Sequence, residues 1–298
     1  MLAVMALGVL LSSQTPVFRD DRRLRSSVEL TVVTATVRDA DGHLVPGLPR
    51  DRFEVFEDGE PQPITQFTNE RVPVALGLLL DVSDSMYGQR IDDARAAVRR
   101  FLADLLAPSD SYFVMTFNHA PRLIAPWTSD PTIVSRALAA IRPSGGTSIY
   151  DAVIAALPLI DARPKERAAL VVISDGADTA SDTALRDLRT ALLRSDAFVF
   201  AIAIDSPKRQ PINTRVNPEA LSEITNHSGG STTVVRDSAD LAGATARIAE
   251  ELNSQYLLAY TTPHPGDGRY HSIRVRVGNG AYRVRARNGY VSEPVHSR

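Results

Sequence analysis

Residues 74–86 read VALGLLLDVSDSM, an apolar run that ends in a carboxylate followed by two serines. A strand that is apolar on both faces is typical of a parallel sheet covered by helices on either side. Similar apolar segments recur at residues 112–117, 169–173 and 197–204. These segments predict parallel strands of one α/β sheet, the first of them at Val74–Leu80.

The segments between these strands repeat apolar residues every three or four positions, the spacing of an amphipathic helix. The predicted helical faces are Ile91–Leu105, Val134–Ile141, Ile149–Ile160, Leu185–Leu192 and Leu241–Leu252. Alternating strands and helices with right-handed crossovers predict a doubly wound architecture. We assign residues 74–252 to this domain.

The flanking segments have a different period. Residues 28–73 alternate apolar and polar side chains, with turn sequences at Asp39–Gly42 and Glu57–Gly59. Residues 253–293 return to the same alternation. Neither flank is long enough to bury a core by itself. We therefore expect the two flanks to pack together as one small β-sandwich, into which the α/β domain is inserted.

Within the C-terminal flank, two runs alternate with arginine. Ile273–Val277 and Tyr282–Ala286 lie on either side of Gly278-Asn279-Gly280, a sequence typical of a tight turn. The pattern predicts a β-hairpin with one arginine-covered face. We interpret that face as solvated rather than as a contact for an anion or an envelope polymer.

Composition excludes several classes of protein. The chain has 298 residues, 44% of them hydrophobic, a formal net charge of −2 and no cysteine. The apolar fraction supports a substantial core, and the near-neutral charge argues against binding of nucleic acid through bulk electrostatics. Without cysteine, disulfides, thiolate zinc sites and cysteine nucleophiles are excluded.

The N-terminus contains an unbroken apolar run, Leu2–Leu11. Ten residues rise only ~15 Å as a helix and cannot cross a ~30 Å hydrocarbon core, but they fit the apolar part of a signal peptide. We predict a signal peptide over residues 1–15 and an exported, periplasmic or secreted protein, although no basic residue precedes the run. A buried N-terminal strand or helix is the alternative. No other stretch is apolar enough for a transmembrane span.

The predicted carboxyl ends of the strands gather hydroxyls and carboxylates. Asp81, Ser83 and Ser85 follow the first strand, Asp175 follows VVIS at 171–174, and Thr147 lies in SGGTS at 144–148. Ligands of open α/β sheets bind at this edge. An all-oxygen set without histidine suits a hard cation such as Mg²⁺, Mn²⁺ or Ca²⁺. Taken singly, each motif is equally consistent with an ordinary turn or helix cap.

Taken together, DVSDSM, SGGTS and VVISDG in this order resemble the metal-ion-dependent adhesion site of von Willebrand factor type A domains. The flanks, with VELTVVTATVRDADGHLVPGLPRDRFEVFEDGEPQPITQF before the domain and YLLAYTTP and RVRARNGY after it, are similar to bacterial proteins of the same family described chiefly from Acidobacteria. The resemblance spans Val28–Tyr290. It implies a mainly parallel, six-stranded sheet.

The resemblance also implies a role for each residue of the site. Ser83, Ser85 and Thr147 would bind the cation through their hydroxyls, and Asp81 and Asp175 would hold it mainly through water. The remaining coordination position would take an acidic residue of a protein partner. Asp84 stands where the family commonly has glycine, and we expect its side chain to face solvent. Asp151 and Asp178 are expected to support the site or to face solvent.

The sequence therefore favours a non-catalytic, cation-dependent adhesion or interaction module. The alternatives are a cytoplasmic type A subunit of a metal-chelatase or AAA-ATPase assembly and, less favoured, a metal-dependent hydrolase. The segment from Asp205 to Asn217 is long for a connection between strand and helix. We expect its Lys208, Arg209 and Arg215 to contact the partner. The six histidines are scattered without a metal-motif spacing and are placed on the surface.

Overall fold

A computed structural model describes residues 29–163, 167–175, 178–204, 218–236, 238–278 and 281–292. The predicted signal peptide, the partner-binding residues Lys208, Arg209 and Arg215, and the central residues of the Gly278–Gly280 turn lie outside these ranges. Among the described helices, none has the length and apolar character needed to cross a membrane.

The described strands are β1 (Leu30–Arg38), β2 (Phe53–Glu57), β3 (Glu60–Gln62), β4 (Ile64–Thr68), β5 (Val74–Asp81), β6 (Ser111–Phe117), β7 (Pro121–Thr128), β8 (Arg167–Ser174), β9 (Phe198–Ile204), β10 (Thr232–Val235), β11 (Tyr256–Thr261), β12 (Tyr270–Val277), β13 (Arg283–Ala286) and β14 (Gly289–Val291). The described α-helices are α1 (Gln89–Arg100), α2 (Pro131–Ala139), α3 (Ile149–Asp161), α4 (Leu185–Arg194), α5 (Pro218–Ser228) and α6 (Ser238–Asn253). Short 3₁₀ turns occur at Arg50–Arg52 and Asp84–Met86, and a π-helical turn at Phe101–Leu105 continues α1.

The central sheet has the strand order β10-β9-β8-β5-β6-β7. All neighbouring strands are parallel except β7, which runs antiparallel to β6. One face packs against α1, α2 and α6, and the other against α3, α4 and α5. The doubly wound architecture expected from the sequence is confirmed. The apolar pattern of the sequence did not predict β7, β10 or α5. β7 and β10 are edge strands and have no continuous apolar run.

The terminal segments form two further antiparallel sheets, in the orders β13-β1-β11-β4 and β14-β12-β2-β3. Both sheets combine strands from before and after the central domain, as in the pairing of Val33 with Leu258 and of Val55 with Val275. Buried side chains from both sheets share one core. In that core the rings of Phe53 and Tyr256 lie 4.7 Å apart. The expectation of a sandwich built from both flanks is thus met.

The predicted hairpin between Ile273–Val277 and Tyr282–Ala286 is wrong. β12 pairs with β2 and β14, whereas β13 pairs with β1 in the other sheet. Period-two alternation tells which face of a strand is buried but not which strand is its neighbour. The two runs are consecutive in the chain and lie in different layers of the sandwich.

The arginine-covered face is solvated only in part. Arg274 and Arg276 are exposed, as expected. Arg285 instead forms an ion pair with Glu251 of α6, and Arg287 forms one with Asp196, with 2.5 Å between Nη1 and Oδ1. These arginines join the sandwich to the α/β domain, so the interpretation of a wholly solvated face is corrected.

Candidate metal centre

Four of the five predicted site residues, Asp81, Ser83, Ser85 and Asp175, lie together where β5 and β8 end. These strands are direct neighbours, with Leu80 opposite Ile173, so that Asp81 and Asp175 follow at the same edge of the sheet. The chain leaves β5 towards β6 on one side and leaves β8 towards β9 on the other. Such a reversal of strand order opens a crevice at the carboxyl edge of a sheet, the usual ligand position in this architecture.

Asp81 is the last residue of β5 and is completely buried. Its Oδ1 accepts a hydrogen bond from the backbone N–H of Ser83 at 2.8 Å, and its Oδ2 accepts one from the Ser174 hydroxyl at 2.5 Å. Burial raises the pKa of the Asp81 carboxyl to about 6, although both hydrogen bonds act in the opposite direction. The electrostatic attraction between a cation and this buried carboxylate would therefore be stronger than that between a cation and an exposed carboxylate.

The two serines lie on the short turn that follows β5. The Oγ atoms of Ser83 and Ser85 are 3.0 Å apart, and Ser85 donates to Oδ1 of Asp175 at 2.6 Å. The side chain of Asp84 between them is exposed. Its backbone N–H donates to the carbonyl of Gly145 at 2.9 Å. This bond fastens the serine loop to the loop that carries Thr147.

Thr147 is 5% exposed and is held through its backbone. Its N–H donates to Oγ1 of Thr179 at 3.1 Å, and its carbonyl accepts from the N–H groups of Thr179 and Ala180 at 2.8 and 3.0 Å. The loop that carries Thr147 is therefore joined both to the serine loop and to the segment that follows Asp175.

Asp151 and Asp178 brace this edge from opposite sides. Asp151, in the first turn of α3, accepts from the N–H groups of Asp182 and Thr183, each at 3.0 Å. Asp178 accepts from the N–H of Tyr150 at 2.9 Å. Both carboxylates join the start of α3 to the segment that follows β8. Of the two alternatives expected for them, support of the site or exposure to solvent, these contacts favour the first.

Asp175 has a partner that the sequence did not suggest. Arg90, 8% exposed at the start of α1, forms an ion pair with Oδ2 of Asp175 and donates to the carbonyl of Ser85 at 2.9 Å. Burial raises the pKa of the Asp175 carboxyl, while the hydrogen bond from Ser85 and the charge of Arg90 oppose that rise. One weak sequence signal does exist, because a basic residue in a first helical turn opposes the helix dipole.

The donor set fits a hard divalent cation. Its side chains offer oxygen only, and they are buried or half-buried. An octahedral Mg²⁺ site with bonds of ~2.1 Å places neighbouring ligand oxygens ~3 Å apart. The separation of the Ser83 and Ser85 hydroxyls is 3.0 Å. Their spacing therefore needs no rearrangement to form one edge of such an octahedron.

Comparison with known proteins agrees with this geometry. Residues 76–177 match the family described as von Willebrand factor type A domain. The protein contains a von Willebrand factor type A domain. All five predicted ligands, at positions 81, 83, 85, 147 and 175, lie within the matched range.

The curated relatives match only part of the chain. The inter-alpha-trypsin inhibitor heavy chain H2 of Mesocricetus auratus is 28% identical over 148 residues, which cover 45% of this chain and 16% of that protein. The chain therefore spans only a small part of such relatives.

Two bacterial structures share the fold. A von Willebrand factor type A structure from Catenulispora acidiphila has a TM-score of 0.55 at 12% identity and covers 90% of this chain and 75% of its own. An aerotolerance-related membrane protein from Bacteroides fragilis has a TM-score of 0.52 at 21% identity, with coverage of 60% and 98%. Domains of this type typically serve as protein-interaction or adhesion modules.

Proposed function

We propose that the protein is a non-catalytic interaction module that binds an acidic group of a protein partner through a divalent cation, Mg²⁺ in the first instance. The observation that carries the proposal is the meeting of Ser83, Ser85 and Asp175 at the end of β5, with hydroxyl and carboxylate oxygens 2.6–3.0 Å apart. Ser83, Ser85 and Thr147 would bind the cation directly, and Asp81 and Asp175 would hold it through water. The cation would supply a positive charge that draws an acidic side chain of the partner.

A non-catalytic role is supported by how the carboxylates are engaged. Both oxygens of Asp81 accept hydrogen bonds from within the protein, and both oxygens of Asp175 do so as well. A general base needs a lone pair directed at the substrate. The oxygens of these two carboxylates instead contact amide, hydroxyl and guanidinium groups of the protein itself.

Cation binding is tested first by thermal unfolding with Mg²⁺ and with chelator. Binding to the native state adds RT ln(1 + [L]/Kd), or ~2.7 kcal/mol at a hundredfold excess over Kd. Asp81→Ala and Asp175→Ala should abolish the Mg²⁺-induced rise in melting temperature. Thr147→Val should reduce it, whereas the matched Thr147→Ser, which keeps the hydroxyl, should retain it. A wild-type melt that responds to neither Mg²⁺ nor chelator would contradict the proposal.

Partner binding is tested by capture from an envelope extract, with Mg²⁺ and with chelator, using wild type and Thr147→Val side by side. We expect a protein retained by wild type in Mg²⁺ and lost with chelator or with the variant. If the partner protein were retained equally with chelator and with Thr147→Val, the cation would not be what joins the two proteins. Metal-dependent turnover of an ester or phosphoester panel would instead favour a hydrolase.

We also propose that the protein is exported, on the basis of the apolar run Leu2–Leu11. The N-terminal sequence of the protein isolated from its natural cell decides this. A start near residues 13–15 supports export, and an intact Leu2–Leu11 segment in the cytoplasmic fraction supports the chelatase-type alternative.

A further inference from the structure

The terminal sandwich carries a second group of metal-ligating side chains, away from the type A site. We call it the histidine cluster and define it as His264, His271, Asp58 and Asp267. Asp58 lies in the turn between β2 and β3, His271 lies in β12, and the other two lie in the segment that joins β11 to β12. Contrary to the expectation that all six histidines lie on the surface, His271 is only 4% exposed.

His271 is held between two carboxylates. Its Nδ1 lies 2.7 Å from Oδ2 of Asp58, and its Nε2 lies 3.1 Å from both carboxylate oxygens of Asp267. The carboxylates are themselves fixed, because the Ser272 N–H donates to Asp58 and the Arg269 N–H donates to Asp267, each at 2.8 Å. A carboxylate on the second nitrogen is the usual way in which proteins orient a metal-binding histidine.

His264 completes the cluster from the solvent side. Its ring is exposed and stacks on that of His271, with centroids 4.5 Å apart and planes within 4°. One ligand atom from each of Glu57, Asp58, His264 and His271 lies within 4.8 Å of the others. Ligand atoms of a tetrahedral ion with bonds of ~2.0–2.2 Å lie ~3.3–3.6 Å apart, so side-chain movements of an ångström or so bring imidazole and carboxylate atoms of this group to that spacing.

The buried carboxyl of Glu57 gives independent support for a cation here. Glu57 is 1% exposed and accepts hydrogen bonds from the hydroxyls of Tyr260 and Thr262 at 2.5 and 3.0 Å. Among the described residues, no cationic side chain pairs with it. Buried acidic groups are normally paired with a cation or a metal. A divalent cation would compensate the negative charge of the three carboxyl groups that lie beside the two imidazoles.

We propose that the histidine cluster binds a divalent transition metal, Zn²⁺ by preference, through His264, His271 and Asp58, with Asp267 orienting His271. Imidazole nitrogen suits Zn²⁺, whereas Mg²⁺ takes oxygen ligands. The protein would then hold two different cations, one at the type A site and one that joins the β2–β3 turn to β12. The alternative is an ion-paired histidine between two aspartates, in which His264 has no part.

The experiment titrates the chelator-treated, untagged full-length protein with Zn²⁺ by calorimetry and with Co²⁺ by its visible absorption, in saturating Mg²⁺. We expect one ion bound per chain, with a Co²⁺ spectrum typical of nitrogen and oxygen ligands. His264→Ala, at an exposed position, should abolish binding. Asp267→Asn should weaken it by about 10–100-fold, as for other changes in groups that orient a metal-bound histidine.

Three control variants make the outcome specific. His43→Ala removes the imidazole of the other Asp/His group, at Asp39–His43, and His119→Ala removes the imidazole beside Gly146 of the type A site. Both should bind Zn²⁺ as wild type does. Asp175→Ala should also keep Zn²⁺ while losing the Mg²⁺ response, so that failure of one proposal leaves the other standing. Absence of Zn²⁺ binding, or binding unchanged in His264→Ala, would overturn the inference.

Discussion

Arg90 shows how a single residue can compensate the charge of a buried carboxylate when no cation is bound. Its guanidinium and the hydroxyl of Ser85 both contact the side chain of Asp175. Both members of the ion pair are buried, with side-chain exposures of 9% and 0%. Because removal of one member leaves the other charge without compensation, the pair matters most to the protein that holds no cation.

We therefore predict that Arg90→Met lowers the free energy of unfolding in chelator by about 3 kcal/mol. The same change should enlarge the Mg²⁺-induced rise in melting temperature, since the cation then provides the only strong compensation for Asp175. Arg99→Met, on the exposed face of α1, is the matched control and should alter neither quantity. A smaller Mg²⁺ response in Arg90→Met would show that Arg90 positions Asp175 for the cation rather than substituting for it.

The same residues show what a sequence can and cannot predict about the site. Asp81, Ser83, Ser85 and Asp175 follow apolar strands, and parallel strands bring such residues to one edge whatever the details of packing. Arg90 was missed because its partner lies 85 residues away in the chain. A long-range ion pair leaves no periodic trace, and only the misplaced charge in a first helical turn hints at it.

At the scale of elements, α6 joins the type A domain to the sandwich through one carboxylate. Glu251 is 3% exposed and accepts from Arg38 of β1 at 3.0 Å and from Thr36 at 3.2 Å. It also forms an ion pair with Arg285 of β13. The two β1 side chains and the β13 arginine therefore converge on a single helix residue.

Glu251→Gln should lower the free energy of unfolding by about 2 kcal/mol. The expected loss is below that of a fully buried pair because both arginines remain one-third exposed and partly solvated. Glu250→Gln, the exposed neighbour on the same helix, should change stability by less than about 0.5 kcal/mol. Equal effects of the two substitutions in urea unfolding would show that this network does not join the domains.

The connection after β9 contains the three basic residues that we expect to contact the partner. β9 is parallel to β8, so its last residue, Ile204, lies at the same edge of the sheet as Asp175. Replacing Lys208, Arg209 and Arg215 with serine should weaken association with an acidic partner and reduce its dependence on salt. The Mg²⁺-induced thermal shift should stay as in wild type, because these residues are not among the proposed ligands. If the triple serine variant bound the partner as wild type does while Thr147→Val did not, these three residues would not contact the partner.

At the scale of the whole molecule, the sequence predicted which segments pack together but not the order of their strands. Apolar alternation predicted strands in both flanks, and their short length placed them in one sandwich, because neither could bury a core alone. It could not show that β1 lies between β11 and β13, strands more than 200 residues later in the chain. The predicted pairing of β12 with β13 was wrong for the same reason, since local alternation carries no information about pairing between strands far apart in the chain.

The pairing of strands from both flanks predicts that the flanks unfold together as one unit. Hydrogen exchange can test this prediction. Val33 is completely buried in the shared core, whereas Val32 on the other face of β1 is half-buried. Val33→Ala removes two methyl groups and should lower the stability of the sandwich by about 1–2 kcal/mol. Because β1 pairs with β11 and β13, amide exchange should accelerate together in all three strands, while β5 and β8 keep their protection. Val32→Ala should have a smaller effect. If β1 alone exchanged faster in Val33→Ala, the two ends of the chain would be separate units that only touch.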